Sequence, residues 1–252
     1  MYGLVTKFEA FVKDHGISNS TLKIIAYIGM FIDHGAAIIL NPYILNNVGN
    51  MPYERFDALS KLYEIMRAVG RTAFPIFCFL IVEGFIHTKN VRKYALNLLL
   101  TAIVSEPVFD RAIREKWWDP TYQNVIFTLF LGLITIYLID RFAYDEKYNV
   151  YLRMLNFAVI ALAGMGLAYV LKTDYSYKGI IAIVLMYTFR RFRLVALMAG
   201  EAIFEYEPTA FFSIIPIMLY NNKRGIKLKY LFYFIYPVHL LVFWLISVKV
   251  IL

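Results

Sequence analysis

The sequence predicts an all-α protein, a polytopic membrane helix bundle of about nine transmembrane helices with its N-terminus in the cytoplasm. Three observations carry that reading. Hydrophobic residues make up 60% of the chain and charged residues 17%, where soluble domains carry about a quarter charged. Aromatics reach 17%, as expected where Tyr and Trp gather at membrane interfaces. Finally, apolar stretches alternate with short basic joints along the whole chain.

The length suits a single domain over 1–252. The lone Cys78 excludes an internal disulfide and any cysteine-based metal cluster. The first twenty residues carry Glu9, Lys13 and Asp14 and do not read as a cleavable signal peptide. A net charge of +8 fits basic cytoplasmic loops, so no nucleic-acid partner is expected. The lipid bilayer is the partner that composition demands.

A crossing helix needs roughly 20 mostly apolar residues. Stretches near 22–41, 72–88, 94–110, 124–140, 152–171, 178–189, 194–204, 209–221 and 230–249 qualify or nearly do. Residues 42–66, rich in Asn, Gly and Pro at their start, read as an outer loop followed by an interfacial helix. Sides follow from Lys and Arg. Lys7, Lys13 and Lys23, the joints at 89–93, 141–153 and 190–193, and Lys223, Arg224, Lys227 and Lys229 form the richer, cytoplasmic face. Glu201, Glu205 and Glu207 fall together on the outer side.

Ionisable residues inside spans are costly, about 2.5–3.5 kcal/mol each on insertion scales, and so mark candidate sites. The first span contains IAYIGMFIDHGAAIIL, with Asp33 and His34 toward its outer half. Neighbours on a helix point about 100° apart, so the two are expected to engage different helices rather than each other. His34 is the natural general base; the plainer alternative is a histidine bonded between helices as glue. Arg67 and Arg71 share a face at the outer end of the second span, where they either snorkel to headgroups or meet substrate. Pro75 is expected to kink that span, and Glu83 to pair with His87 or Lys89. Glu106 and Asp110, four apart, could hold an amine, orient an imidazole or pair with Arg67 and Arg71. Asn124 stands at the same level as a cap or a donor, and Asp174 in TDYSYKG reads as a turn residue. His239 follows Tyr236 by three residues in the last span.

The stretches LKIIAYIGMFIDHGAAII, GRTAFPIFCFLIVEGFIHTKNVRKY, SEPVFD, NVIFTLFLGL, YNNKRG and YPVHLL resemble, in the same order, the TraX family. Its members are multi-spanning bacterial membrane proteins, and its namesake acetylates the N-terminus of conjugative pilin. The resemblance covers roughly 21–245 and implies a transmembrane acetyltransferase of the bacterial cytoplasmic membrane. The implied acyl donor is acetyl-CoA, and the acceptor a peptide such as a pilin-like N-terminus or a small molecule. It points to His34, Asp33, Arg71, Glu83, Ser105, Glu106, Asn124 and His239. In such a site His34 would be the base, oriented by Asp33 or Glu106. His239, Asn124 or Arg71 would stabilise the oxyanion or fix the acceptor, beside Arg67, Asp110 and Tyr236. Transfer through acetyl-His34 or acetyl-Cys78 is the two-step alternative. The phosphates of coenzyme A would meet Arg92, Lys93, Arg190, Arg191, Arg193, Lys223 or Arg224. The rival readings are a secondary transporter or proton-coupled carrier, and a non-enzymatic membrane assembly factor.

Overall fold

In hydrocarbon a backbone must satisfy its own polar groups, and helices do so locally. The computed structural model describes residues 2–204, 208–226 and 229–251; Glu205, Glu207 and Lys227, used in the charge reading, lie outside the described residues. Among the described residues the chain is helical, with no strand and two isolated bridges, Ile17–Tyr220 and Gln123–Thr173. Helix α1 spans Tyr2–His15 and α2 Asn19–Gly35, continued by a π turn at Ala36–Leu40 and by α3, Asn41–Asn47. Then come α4 (Tyr53–Gly70), α5 (Ala73–His87), α6 (Val91–Arg114), α7 (Val125–Leu138, with a second π turn to Ala143) and α8 (Val150–Val170). Helices α9 (Ser176–Thr188), α10 (Arg193–Glu201), α11 (Ile214–Met218) and α12 (Lys229–Ile251) complete the bundle. Among the described residues five helical runs are long and apolar enough to cross a membrane: Asn19–Asn47, Tyr53–His87, Val125–Ala143, Val150–Val170 and Leu231–Lys249.

Polar caps set where helices begin. Ser18, Asn90, Asn124 and Asn149 each accept a first-turn N–H, from Thr21, Lys93, Ile126 and Leu152, which satisfies donors that a helix start leaves open. The predicted outer loop starts later than expected, because residues 41–47 prolong the first long helix. The π turn explains how: Asn41 N–H reaches back to Ala36 O, so the register shifts just before Pro42, which has no N–H to give. Pro75 likewise does not kink a span. The chain turns at Arg71–Thr72 and α5 starts at Ala73, which leaves Pro75 in a first turn where its missing donor costs nothing.

Helix α5 is the axis of the bundle. It buries Ala73–Phe74, Ile76, Cys78–Val82 and Pro75 against α2, α7 and α9. Helix α12 closes one side against α6 and the α2–α3 run. At the periphery α8 packs through Gly164 and Ala168, small residues that allow close approach, while Leu155, Val159 and Leu162 face outward. The 221–226 segment clasps the start of α2: Asn19 N–H bonds Lys223 O at 2.8 Å and Ile226 N–H bonds Ser20 Oγ at 2.9 Å.

Gly225 makes that clasp possible, with φ of +71° and no room for a Cβ beside Ser18 and Ser20. Gly225→Ala is expected to cost about 1–2 kcal/mol from the left-handed backbone alone, plus the clash. A lowered thermal midpoint in detergent checks it, with Gly49→Ala, which has open space, as the neutral comparison.

Candidate functional site

Asp33 and His34 do turn to different helices. Asp33 Oδ2 accepts from Arg67 Nη1 of α4 at 2.6 Å, and its Oδ1 is buried without a hydrogen-bond partner. The pair depends on Gly70, because a Cβ there would fall inside the Asp33 side chain. His34 Nδ1 meets His239 Nε2 of α12 at 2.6 Å. The ring centroids lie 5.0 Å apart with planes 5° apart, so the bond runs edge to edge through a nearly common plane.

Hydrogen-bond accounting assigns the protons in this pair. His239 Nδ1 sits 2.9 Å from Ile235 O, and a carbonyl oxygen can only accept. His239 Nδ1 therefore carries a hydrogen, which leaves Nε2 of the neutral ring as an acceptor. His34 Nδ1 must then donate to it, and the lone pair of His34 is left on Nε2, the far edge of the ring from His239. Neither Asp33 nor Glu106 hydrogen-bonds to His34; the orienting group is His239, held by its own helix.

His34 lines a cavity of about 260 Å³ together with Asp33, Arg67, Arg71, Tyr122 and Asp174. Its apolar walls are Met30, Phe74 and Phe77 on one side and Phe109, Ile113 and Val125 on the other. Asp174 is more than a turn residue: Tyr122 Oη–H donates to its carboxylate at 2.5 Å and Tyr175 N–H at 2.9 Å. Burial pushes the Asp174 carboxyl above its ordinary value, and the bonds from Tyr122 and Tyr175 and the charges of Arg71 and Arg67 oppose that rise.

Other expected site residues form a separate polar layer. Glu106 accepts from the backbone and side chain of Asn124, and Asn124 also donates to Ala102 O at 2.9 Å while capping α7. Ser105 bonds back to Thr101 O at 2.6 Å, and Asp110 accepts Asp119 N–H at 2.7 Å. These groups tie α6 to α7 and to the loop before it. They do not line the His34 cavity, and Arg67 is paired with Asp33 instead. Tyr236 is buried beside both histidine rings, its hydroxyl without a hydrogen-bond partner. Glu201, expected in an outer joint, is instead fully buried and accepts from Ser213. Cys78 is buried in the core, away from the cavity lining.

A second cavity, about 470 Å³, opens at the other end of the same helices. Lys23, Lys89 and Arg224 line it with Ser20, Tyr94 and Tyr220. Glu83 lies here and not near His34, with His87 Nε2 at 3.3 Å. Of the basic residues expected to hold phosphates, Arg224 alone lines this cavity. Arg190 is tied to Tyr187 O at 2.8 Å and covers its ring, and Arg193 to Tyr220 O and Asn222 Oδ1, both at 2.7 Å. Arg92, Lys93, Arg191 and Lys223 are exposed outside the lining. Along α2, Lys23 and His34 are eleven residues apart, which is about 16 Å of helix. Tyr27, Phe77 and Phe232 pack together between the two levels.

The family profile described as TraX protein matches residues 18–247, a range that includes every residue lining either cavity. The chain belongs to the TraX family. A relative, the probable fimbrial assembly protein FimC of serogroup H1 from Dichelobacter nodosus, is 29% identical over 239 residues, covering 87% of this chain and 91% of that protein. No solved structure matches. For a TraX-family chain, sequence reasoning found Asp33, His34, Arg67 and Arg71 of the first cavity but not Tyr122, and read Asp174 only as a turn residue. Only the run of aromatics around Asp174 in TDYSYKG hinted that it would be buried.

The tautomer assignment is open to measurement. With ¹⁵N-histidine labelling, His239 is expected as the Nδ1–H form and His34 as the Nδ1–H form with a bare Nε2. Replacing His239 by Leu removes the acceptor, and the His34 signals are then expected to split between tautomers.

Proposed function

We propose that this protein is an integral-membrane acetyltransferase that moves an acetyl group from acetyl-CoA to an amine or hydroxyl of a membrane-associated or exported acceptor, such as a pilin-like peptide N-terminus. The observation that carries the reading is the His34–His239 pair, with His34 in the wall of a cavity inside a helix bundle; in the neutral pair its unprotonated Nε2 is the base. The acceptor nitrogen or oxygen attacks the thioester carbonyl carbon while His34 Nε2 takes its proton. The C–S bond then breaks, and the departing thiolate recovers that proton from His34. His239 keeps the ring in the reactive tautomer and shares the positive charge that forms on it, as a carboxylate does in other triads. Arg71, on the cavity wall, is placed to offset charge on the carbonyl oxygen. Direct transfer needs no covalent enzyme intermediate, and the core position of Cys78 supports leaving it out.

The second cavity suits the nucleotide end of the donor. Lys23, Lys89 and Arg224 offer cations to phosphates, and an acetyl group at the end of a long flexible arm has the reach to pass Tyr27, Phe77 and Phe232 toward His34. The basic joints favour placing this end in the cytoplasm, with the N-terminus inside and the protein in the bacterial cytoplasmic membrane. The fimbrial assembly name of the relative favours a pilus subunit as acceptor. It equally motivates a second reading, a non-enzymatic assembly factor that holds such a peptide.

Thioester turnover by purified protein decides between them. Wild type is expected to release coenzyme A from acetyl-CoA, and His34→Ala to lose about 10²–10⁴-fold while staying folded. Equal rates in the two proteins would exclude His34 as base, and no turnover by folded wild type would leave the assembly factor. His239→Gln, whose amide can still accept from His34 and donate to Ile235, is expected to retain more activity than His239→Leu, which should fall about 10–100-fold by analogy with other orienting groups. Replacing Lys23, Lys89 and Arg224 together by Ala should raise KM for acetyl-CoA about tenfold more than KM for S-acetylcysteamine, which has no phosphates, since each charged hydrogen bond contributes about 1.5–3 kcal/mol.

A further inference from the structure

Asp174 is held with unusual completeness for a residue in a joint as short as 171–175. Its N–H bonds Gln123 O at 2.9 Å, its carbonyl accepts from the Thr128 hydroxyl, and its carboxylate accepts from Tyr122 and from Tyr175 N–H. Around it Lys172, Tyr175 and Ser176 all adopt left-handed φ, at 53°, 59° and 45°, a conformation that costs non-glycine residues and persists only where the surroundings enforce it. The Tyr175 ring is pinned on Phe74, centroids 3.6 Å apart and planes within 7°. The outcome of this strained and over-determined turn is one carboxylate fixed in the wall of the His34 cavity.

A structural turn does not need a carboxylate there, since a neutral amide would accept the same hydrogen bonds. What the charge adds is a partner for a cation. Primary amines reach the site protonated, because free α-amino groups titrate near pH 7.7–8.0 and lysine amines higher. An ammonium entering an apolar-walled cavity loses its hydration, and that cost is met only by an opposite charge. An alcohol of the same shape carries no such charge. The cavity as a whole fits the same chemistry. Asp33 and Asp174 share the cavity wall with Arg67 and Arg71 around His34, which the tautomer assignment takes as neutral. Two carboxylates and two guanidiniums match a transition state in which the attacking nitrogen becomes positive as the carbonyl electron pair moves onto oxygen. His34 Nε2 first takes one proton from the bound ammonium and passes it to water, which frees the nitrogen lone pair to attack. His34 Nε2 takes a second as the C–N bond forms. The negative oxygen stays with the guanidiniums until the C–S bond breaks, and the thiolate leaves with that second proton.

We propose that Asp174 is the anchor for a protonated primary amine, and that it makes the cavity select amine acceptors over alcohols. The use of that anchor in transfer rests on the acetyltransferase reading; the binding preference does not. Asp174 acts here by holding the acceptor, with His34 as the reacting base.

The test is calorimetric binding of n-hexylamine and n-hexanol to protein in neutral phosphatidylcholine nanodiscs, corrected with empty discs. Wild type is expected to bind the amine at least about tenfold more tightly than the alcohol, the margin of one partly desolvated ion pair. Asp174→Asn, which keeps an oxygen for Tyr122 and Tyr175 N–H, should bring the two affinities together. Tyr122→Phe, which removes a hydrogen bond but leaves the charge, should keep the preference and serves if the Asn variant fails to fold. Equal binding of amine and alcohol by wild type, or an undiminished amine preference in folded Asp174→Asn, overturns the proposal. Amine preference in a wild-type protein that never turns over acetyl-CoA would instead remove the acetyltransferase reading and leave Asp174 as an amine-binding residue.

Discussion

Polar groups inside this bundle cannot fall back on water, so each must find its partner in the protein, and the fold is arranged around meeting that demand. Asn124 shows it most fully: one buried amide caps α7, donates to Ala102 and holds Glu106. Thr128 joins Thr173 and the carbonyl of Asp174, and Asn221 reaches Gly16 O at 2.7 Å. These bonds connect segments far apart in sequence, and they fix helix ends against one another where apolar packing alone would let them slide. Of the groups left over, Asp33 Oδ1 belongs to the wall of the His34 cavity and Tyr236 Oη lies beside both histidine rings, while Glu83 Oε2, Glu106 Oε1, Asp110 Oδ1 and Glu201 Oε2 are among those left elsewhere in the bundle.

Much of the architecture was legible because hydrophobic runs and basic joints are local signals. The nine apolar stretches lie mainly on helical backbone, five of them in runs long and apolar enough to cross a membrane, and Asn124 caps α7, one of the two roles expected of it. The divergence of Asp33 and His34 also followed from helix geometry alone. What remained hidden was tertiary. Nothing in the sequence says that α2 and α12, separated by most of the chain, bring His34 to His239. Glu83 and Glu106 look alike as isolated acids in apolar runs, yet one lines the basic cavity and the other ties α6 to α7. Asp174 does sit in a turn, as expected; its place in a cavity wall was hidden because the joint resembles any polar turn, and its left-handed neighbours are tyrosine and serine rather than glycine.

The two cavities share walls from α2 and α5. On the acetyltransferase reading proposed above, the basic end would recognise the charge of the donor, and the histidine pair would act deeper, where a hydrogen bond counts for more. Tyr27, Phe77 and Phe232 lie between, with Tyr27 anchored to the carbonyl of Phe232.

The π turn at Ala36–Leu40 begins two residues beyond His34. A π turn holds one residue more than the α-helical register requires, so it is the mark of a single-residue insertion accommodated without breaking the helix. Shortening the chain by one residue there would restore ordinary winding and rotate everything beyond it, Pro42 and Ile44 included, by about 100° relative to His34. Chain length at this point therefore sets the angular offset between the reactive ring and the rim of the bundle. A chain that differs by one residue between these positions would present a different rim while keeping the same histidine pair.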